Sequence, residues 1–293
     1  MSNPTVSVVI PVYNGAATIS RAIESALSQT VPPLEVVVVD DGSQDDTAAV
    51  ANRFPVKFVS QANAGPAAAR NRGAWISKGQ WIAFLDADDS WLPHKTERQL
   101  PMTDDASTGV IHCYVSRNYL YGNPPTVVSF DRLWWRNCVA TSSTLVRRLA
   151  FEEFSGFDMD PAIISVEDYN LWLRMAARGW RIVTVPEPLC QYTPTNGSLT
   201  RQLSRFAQAE LANLKKIACE LHIPPKKAMK KQIRILEEYG RQLLNDRDLR
   251  TARVYLGKAL RLEPSVNNLI WWLAAFSPPA LLDFKRRFEL RLP

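Results

Sequence analysis

Residues 6–14 read VSVVIPVYN, and residues 81–89 read WIAFLDADD. Each stretch begins with a short run of β-branched or aromatic residues and ends in polar ones, which is typical of a buried strand that leads into a loop. Residues 35–43, EVVVVDDGS, repeat the pattern between them. Parallel strands that are buried on both faces have continuous apolar runs of this kind. The three stretches therefore predict the centre of a parallel sheet.

Helical patterns separate these strands, which is the alternation expected of an α/β fold of the nucleotide-binding type. We expect four strands and three helices in the first hundred residues: strands at 6–10, 35–39, 56–59 and 81–85, and helices at 17–29, 45–53 and 66–77. Residues 166–179 form the clearest amphipathic helix further on. After residue 200 the pattern is almost entirely helical, so we expect two domains, 1–200 and 201–293.

The net charge of +6 is distributed unevenly along the chain. Residues 1–199 contain 16 Lys and Arg against 20 Asp and Glu, whereas residues 200–293 contain 19 against 9. A basic region of this kind favours an anionic partner, such as a membrane surface or an acidic protein. No nucleic-acid-binding motif accompanies the charge, so we expect no nucleic acid as a partner.

The four cysteines, at 113, 138, 190 and 219, are far apart and form no CxxC pair. This spacing predicts reduced thiols rather than a zinc site or a disulfide framework. The first residues lack the basic flank and cleavage site of a signal peptide, and no apolar stretch reaches the ~18–20 residues that span a bilayer. We expect a cytoplasmic protein, with peripheral contact at the inner face of the membrane as a further expectation.

Asp86 and Asp88 follow the strand at 81–85, where ligands bind in open α/β sheets. Two hard carboxylates at this spacing suit Mg²⁺ or Mn²⁺, with coordination positions left for diphosphate oxygens. An isolated Asp-x-Asp is common in solvated loops. The location of this pair after a buried strand, beside a second acidic turn, favours the metal site.

The second acidic turn is residues 40–43, Asp-Asp-Gly-Ser. We expect Ser43 to be the N-cap of a helix that begins near Gln44, with the acidic residues at 45–46 in its first turn. That arrangement leaves Asp41 free to accept a hydrogen bond from the ring N–H of a uracil-like base.

Glu167 and Asp168 begin the helix at 166–179. Acidic residues in a first turn usually interact with the helix dipole. A carboxylate fixed at a helix start and facing a sugar can instead act as a general base that accepts the proton of an acceptor hydroxyl. We choose Asp168 for that role.

Taken together, these segments resemble the family-two glycosyltransferases with the GT-A fold, over about residues 4–200. Six motifs in order carry the resemblance: VSVVIPVYNGAATISRAIESALSQT (6–30), VVVVDDGSQDDT (36–47), NAGPAAARNRG (63–73), WIAFLDADDSWLP (81–93), GFD (156–158) and VEDYNLWLRMAARG (166–179). The resemblance implies a Rossmann-like, mostly parallel mixed sheet flanked by helices, to which the C-terminal helical region is appended.

The resemblance also implies an activity: inverting transfer of a hexose from a nucleotide diphosphate sugar, with a UDP-sugar favoured, to a hydroxyl acceptor in cell-surface polysaccharide or glycolipid synthesis. The acceptor would be a carbohydrate or a lipid-linked sugar.

The resemblance also implies a role for each matching site residue. The roles carried over are Pro11, Tyr13 and Asp41 at the nucleotide base, Arg70 near the base and phosphate, Asp86 at the ribose, Asp88 at a divalent Mn²⁺ or Mg²⁺, and Asp168 as catalytic base. The run at 192–198, YTPTNGS, departs from the Tyr-Arg-x-His of many relatives, which weakens any claim of a further metal or phosphate ligand there.

Two other functional classes stay open. One is a scaffold that retains the fold without activity and uses its basic helical tail for interaction. The other is a sugar nucleotidyltransferase, which would need a Gly-rich, Arg-containing loop where residues 11–18 read PVYNGAAT.

The remaining aromatic and histidine residues have competing interpretations. Trp134 and Trp135 either stack on a sugar ring or pack in the core, and the three histidines at 94, 112 and 222 lack metal-ligand spacing. Residues 232–264 resemble one tetratricopeptide-like hairpin that packs on the catalytic domain or a partner. The aromatic residues at 271, 272, 276, 284 and 288, with basic residues at 285–287 and 291, suit either a membrane interface or a packed helix pair.

Overall fold

A computed structural model describes residues 4–116, 125–193 and 203–277. The chain divides into two units, residues 1–196 and 197–293. The first unit is α/β and contains a single mixed sheet, and the described part of the second is helical. The α/β fold class with a C-terminal helical region is therefore confirmed.

Parallel strands alternate with helices in the first half of the first unit, because the apolar runs are buried on both faces. The elements are β1 (Val6–Val12), α1 (Ile19–Leu27), β2 (Glu35–Asp40), α2 (Thr47–Ala51), β3 (Lys57–Ser60), α3 (Pro66–Ile76) and β4 (Trp81–Phe84). The strands lie in the order β3-β2-β1-β4 and all four run parallel. The carboxyl ends of β2, β1 and β4 therefore meet at one edge of the sheet.

The second half extends the sheet with mixed pairing. Its elements are β5 (Ser90–Trp91), α4 (Lys95–Gln99), β6 (Thr108–Val115), β7 (Val127–Val128), α5 (Phe130–Trp135), β8 (Leu145–Arg147), α6 (Arg148–Glu153), α7 (Glu167–Ala177) and β9 (Arg181–Gln191). β8 pairs antiparallel with both β4 and β6, β6 runs parallel to β9, and β5 and β7 pair antiparallel with β9.

Ser43 does not cap a helix, so that expectation is wrong. Helix α2 begins at Thr47 rather than near Gln44. The Ser43 hydroxyl instead accepts a hydrogen bond from the backbone N–H of Asn14, at 2.8 Å. The N-cap position of α2 is Asp46, and the Asp45 carboxylate accepts from the Thr47 backbone N–H at 3.1 Å. Ser43 therefore connects the loop after β2 to the loop after β1.

The second unit contains four helices in its described part: α8 (Leu203–Glu220), α9 (Pro225–Asn245), α10 (Leu249–Leu262) and α11 (Val266–Ala274). α9 and α10 form a helical hairpin that packs closely at Gly240, where an added Cβ would lie 2.7 Å from Leu256 Cγ. Lys231 of α9 forms a buried ion pair with Glu210 of α8, at 3.1 Å. Among the described residues, no helix has the length and apolar character required to cross a membrane.

Asn71 of α3 joins the first half of the α/β unit to the segment that precedes α7. Its buried side chain donates to the Phe157 carbonyl at 2.7 Å and accepts from the Phe157 backbone N–H at 2.8 Å. Gly156 has φ +76°, and a Cβ there would lie 2.5 Å from Asn71 Oδ1. This hydrogen-bonded pair holds the Phe157 ring against Phe84 and Trp172, whose centroids are 5.0 and 6.0 Å away.

We expect Asn71→Ala to lower the free energy of unfolding by about 2–4 kcal/mol, because it leaves a buried N–H and a buried C=O without partners. Urea denaturation followed by circular dichroism measures the change. Asn52→Ala, at an exposed position, is the matched control and should stay within about 0.5 kcal/mol of the wild type. Equal stability of the two variants would contradict the role assigned to Asn71.

Candidate functional site

The loops after β1, β2 and β4 are joined to one another by hydrogen bonds. Asn14, in the left-handed region at φ 49°, accepts from the Gln44 backbone N–H through its side chain, at 2.8 Å. The Gly15 N–H donates to the Thr47 hydroxyl at 2.9 Å. The Arg21 guanidinium of α1 donates to the carbonyl of Asp88 in the β4 loop. These contacts fix the positions of the three loops relative to one another.

Pro11 and Tyr13 differ in their exposure at the end of β1. Pro11 is buried within the strand, opposite Val39 of β2. Tyr13 projects from the loop and is 52% exposed. Of the two, Tyr13 therefore has the ring surface that a flat heterocycle could contact.

Asp41 is buried and already accepts three hydrogen bonds from the protein, so its carboxylate is not free of protein donors as we expected. Its Oδ1 accepts from Gln61 Nε2 at 2.8 Å and from the Ala64 N–H at 2.9 Å, and its Oδ2 accepts from the Gly65 N–H at 2.8 Å. These bonds fix the loop that leads into α3. A ligand that reaches Asp41 would share an oxygen that already has a protein donor.

Arg70 lies at the centre of the site and joins its two sides. Its NH2 group donates to Asp86 Oδ1 and its NH1 group to Glu167 Oε1, both at 2.7 Å. The guanidinium also lies 5.7 Å from the centre of the Phe157 ring. Through Arg70, the turn after β4 and the first turn of α7 are held together.

The charge of Arg70 is stabilised by its carboxylate partners. Burial by itself lowers the pKa of Arg70, but Asp86 and Glu167 outweigh that effect and raise it above the ordinary value. Because a buried charge is costly without partners, the three groups depend on one another. Glu167 is held further by the Ser165 N–H, which donates to Oε2 at 2.7 Å.

The turn after β4 contains a third carboxyl group, Asp89, that the sequence analysis did not single out. Asp89 is buried, and its Oδ1 accepts from the Thr193 N–H at 3.0 Å. Burial first, and then the charges of Asp86 and Asp88, raise the pKa of Asp89 to about 7. Asp89 therefore connects the turn at 86–89 to the segment that follows β9.

The acidic turn fits a divalent cation by the chemistry of its donors. Asp86 and Asp88 supply hard oxygens, and their negative charges add to the effect of burial in raising the pKa of Asp89. Among the described residues, no group of three or more His, Cys, Asp or Glu side chains forms a complete metal cage.

Asp168 is the carboxylate at the start of α7 that Arg70 does not bind. Its Oδ2 accepts from the Thr141 hydroxyl at 2.7 Å. Burial and then the neighbouring Glu167 raise the pKa of Asp168 to about 7, although Thr141 and Arg70 oppose the shift. A carboxyl group that titrates near neutrality suits a general base.

The other candidates have structural roles in the described residues. Trp134 is buried, stacks on Phe130 at 6.0 Å and accepts a hydrogen bond from Tyr169 through its carbonyl, so it is a core residue. Burial lowers the pKa of His112 to about 3. All four cysteines are free thiols. Of the run at 192–198, only Tyr192 and Thr193 lie within the described residues.

The fold of this chain is similar to that of a solved structure. Mannosyltransferase PcManGT from Pyrobaculum calidifontis, in complex with GDP-Man and Mn²⁺, matches with a TM-score of 0.70 and 22% identity, covering 100% of this chain and 82% of that one. At this identity the similarity establishes the fold, and the expected GT-A fold is confirmed.

Two curated relatives match by sequence. A UDP-Glc:alpha-D-GlcNAc-diphosphoundecaprenol beta-1,3-glucosyltransferase, WfaP of Escherichia coli, is 32% identical over 184 residues, which cover 59% of this chain and 71% of that protein. An uncharacterized glycosyltransferase of Rickettsia bellii is 33% identical over 190 residues, which cover only 27% of its length. The model of the family described as glycosyl transferase family 2 matches residues 7–156, about half of the chain. The chain therefore belongs to glycosyl transferase family 2.

Proposed function

We propose that the protein is an inverting glycosyltransferase that moves a hexose from a nucleoside diphosphate to a hydroxyl group. The main observation in support of the proposal is that Arg70 connects two sites. One is an acidic turn suited to a cation and a diphosphate, and the other is a carboxyl group, Asp168, with a pKa near 7. In a single displacement, the base accepts the proton of the attacking hydroxyl and the acidic turn with its cation stabilises the departing diphosphate.

The donor side is formed by the ends of β1, β2 and β4. We assign the nucleotide contacts to Pro11, Tyr13, Asp41, Arg70 and Asp86. Tyr13 supplies an exposed ring, and Asp86 retains a partly exposed carboxylate for the ribose. Two nitrogens of Arg70 are bound to carboxylates. In this proposal Arg70 therefore contributes to nucleotide binding by fixing the position of Asp86, and it does not extend to the phosphates.

We assign a Mn²⁺ or Mg²⁺ ion to Asp88, beside Asp86. When bound, a divalent cation neutralises the charge that develops on the departing diphosphate. The Arg21 contact to the Asp88 carbonyl fixes the backbone from which this carboxylate projects.

Asp168 is assigned as the base. The Thr141 hydroxyl orients one carboxylate oxygen of Asp168, and the neighbouring Glu167 is bound to Arg70. Deprotonated Asp168 accepts the proton of the acceptor hydroxyl as that oxygen bonds to the anomeric carbon and the bond to the diphosphate breaks. One displacement of this kind inverts the anomeric configuration.

The relatives support the substrate class. The Escherichia coli relative is named for UDP-Glc and for a diphosphoundecaprenol-linked acceptor, and the Pyrobaculum structure contains GDP-Man. We favour a UDP-sugar as donor and a carbohydrate or lipid-linked acceptor in cell-surface polysaccharide or glycolipid synthesis. We further propose that the enzyme works in the cytoplasm and reaches the membrane through its basic C-terminal region.

The pH dependence tests the base. Because the pKa of Asp168 is raised to about 7, the group is protonated and inactive at lower pH, so kcat/KM should rise through about pH 7 and then level off. Thr141→Val removes a hydrogen bond that stabilises the carboxylate, so the acid limb should move to higher pH. Thr141→Ser is the matched control and should keep the wild-type limb. Identical profiles for all three proteins would contradict the assignment.

Asp168→Asn should lower kcat by roughly 100- to 10,000-fold, because the amide cannot accept the proton. Binding of the nucleoside diphosphate, followed by calorimetry, should be retained. Asp104→Asn, at an exposed carboxylate, is the control and should turn over normally. Normal turnover by Asp168→Asn would overturn the assignment.

Release of nucleoside diphosphate from UDP-, GDP- and dTDP-sugars, in Mn²⁺, Mg²⁺ or EDTA, tests the donor and the metal. We expect one donor to be turned over, EDTA to abolish its turnover, and Asp88→Ala to stay inactive at every metal concentration. A wild-type rate that EDTA leaves unchanged would contradict the metal assignment. If the protein binds none of UDP, GDP and dTDP, the result would favour the inactive scaffold.

A further inference from the structure

Helix α11 exposes an aliphatic stripe although it packs against the helices before it. Val266, Leu269, Ile270 and Leu273 follow the i, i+3, i+4, i+7 spacing of one helix face, and all four are exposed. Val266 is 76% exposed and Ile270 59%. Phe276, immediately after the helix, extends the stripe and is also exposed. We call these five residues the α11 stripe.

The other side of α11 is used for packing within the second unit. Asn268 is buried and donates to the Glu263 carbonyl at 3.1 Å. An added Cβ on Gly257 of α10 would lie 3.1 Å from the Trp272 indole nitrogen, so α10 and α11 are in close contact there. Trp271 and Trp272 are only partly exposed. The two tryptophans that the sequence suggested for a membrane contact are thus packing residues, and the exposed surface is aliphatic.

Arg253 borders the stripe at Phe276, and Arg241 lies over the neighbouring Trp271. The Arg241 guanidinium lies 4.9 Å from the Trp271 ring centre, and that of Arg253 lies 4.6 Å from the Phe276 ring centre. Arg253 also donates to the Ala275 carbonyl at 2.8 Å, which fixes it at the end of α11. Residues 203–277 contain 14 Lys and Arg against 7 Asp and Glu, whereas α11 itself has no charged residue.

We propose that the α11 stripe is the surface by which this protein docks on an anionic lipid bilayer. An aliphatic face enters the boundary between headgroups and acyl chains, and the surrounding cations attract anionic headgroups. A protein partner buried on the same stripe would not require the excess of basic residues. The inference makes specific the membrane contact that belongs to the proposed function, and it would place the enzyme where a lipid-linked acceptor resides.

Flotation of the full chain with lipid vesicles tests the proposal. One set is phosphatidylcholine alone, and the other contains about one third phosphatidylglycerol. We expect the wild type to float with the anionic vesicles and to dissociate as salt is raised. The double variant Ile270→Gln with Leu273→Gln should lower the partition coefficient by about tenfold or more.

The matched control is Leu149→Gln with Met159→Gln, which replaces two equally exposed apolar residues, 69% and 62%, in the first unit. This control should float like the wild type, and circular dichroism should show that both double variants retain their helical content. The proposal is wrong if the α11 double variant floats normally or if the wild type does not bind anionic vesicles. It is also wrong if sedimentation shows that the α11 substitutions dissociate a dimer while vesicle binding is unchanged.

Nucleotide binding by calorimetry separates this proposal from the proposed function. Vesicle binding that depends on the α11 stripe, in a protein that binds no nucleoside diphosphate, would support the docking surface and overturn the enzyme. Turnover of a nucleotide sugar by a protein that binds no vesicles would support the enzyme and overturn the docking surface.

Discussion

The buried guanidinium of Arg70 is the interaction on which the site depends. Breaking a buried ion pair by removing one partner costs about 3–5 kcal/mol, because it leaves an uncompensated charge. Arg70 has two such partners, Asp86 after β4 and Glu167 at the start of α7. These segments are distant in the sequence, and the shared cation fixes their separation. The turn after β4 and the first turn of α7 are therefore built around one charge.

The carboxylates around this interaction have different partners and different roles. Glu167 is held by Arg70 and by the Ser165 N–H, so its charge is used structurally. Asp41 and Asp45 hold loops through backbone donors. Asp168 accepts from the Thr141 hydroxyl and from the Tyr169 backbone N–H. Burial and then the charge of Glu167 raise its pKa to about 7 although these donors lower it, so burial and the neighbouring charge give Asp168 the character of a base.

Much of the fold could be predicted from the sequence, because strands buried on both faces leave a continuous apolar run. β1, β2 and β4 begin at the predicted residues, and the acidic turn after β4 follows from the rule for strand ends. Features that depend on partners distant in the sequence were not predictable. Asp41 is bound by residues 20 to 24 positions away, and Asp89 accepts a hydrogen bond from Thr193, 104 positions away. Trp134 lies on the buried side of a six-residue helix, which is too short for its pattern to show that side.

The anomeric configuration of the first product tests the single-displacement chemistry most directly. Because only Asp168 is placed as a base and Glu167 is bound to Arg70, a donor whose sugar is α-linked to the diphosphate should yield a β-linked product. Proton NMR of the purified product distinguishes the two anomers, because the new glycosidic bond keeps the configuration in which it forms. A β product is the predicted result, and an α product would contradict the proposed mechanism.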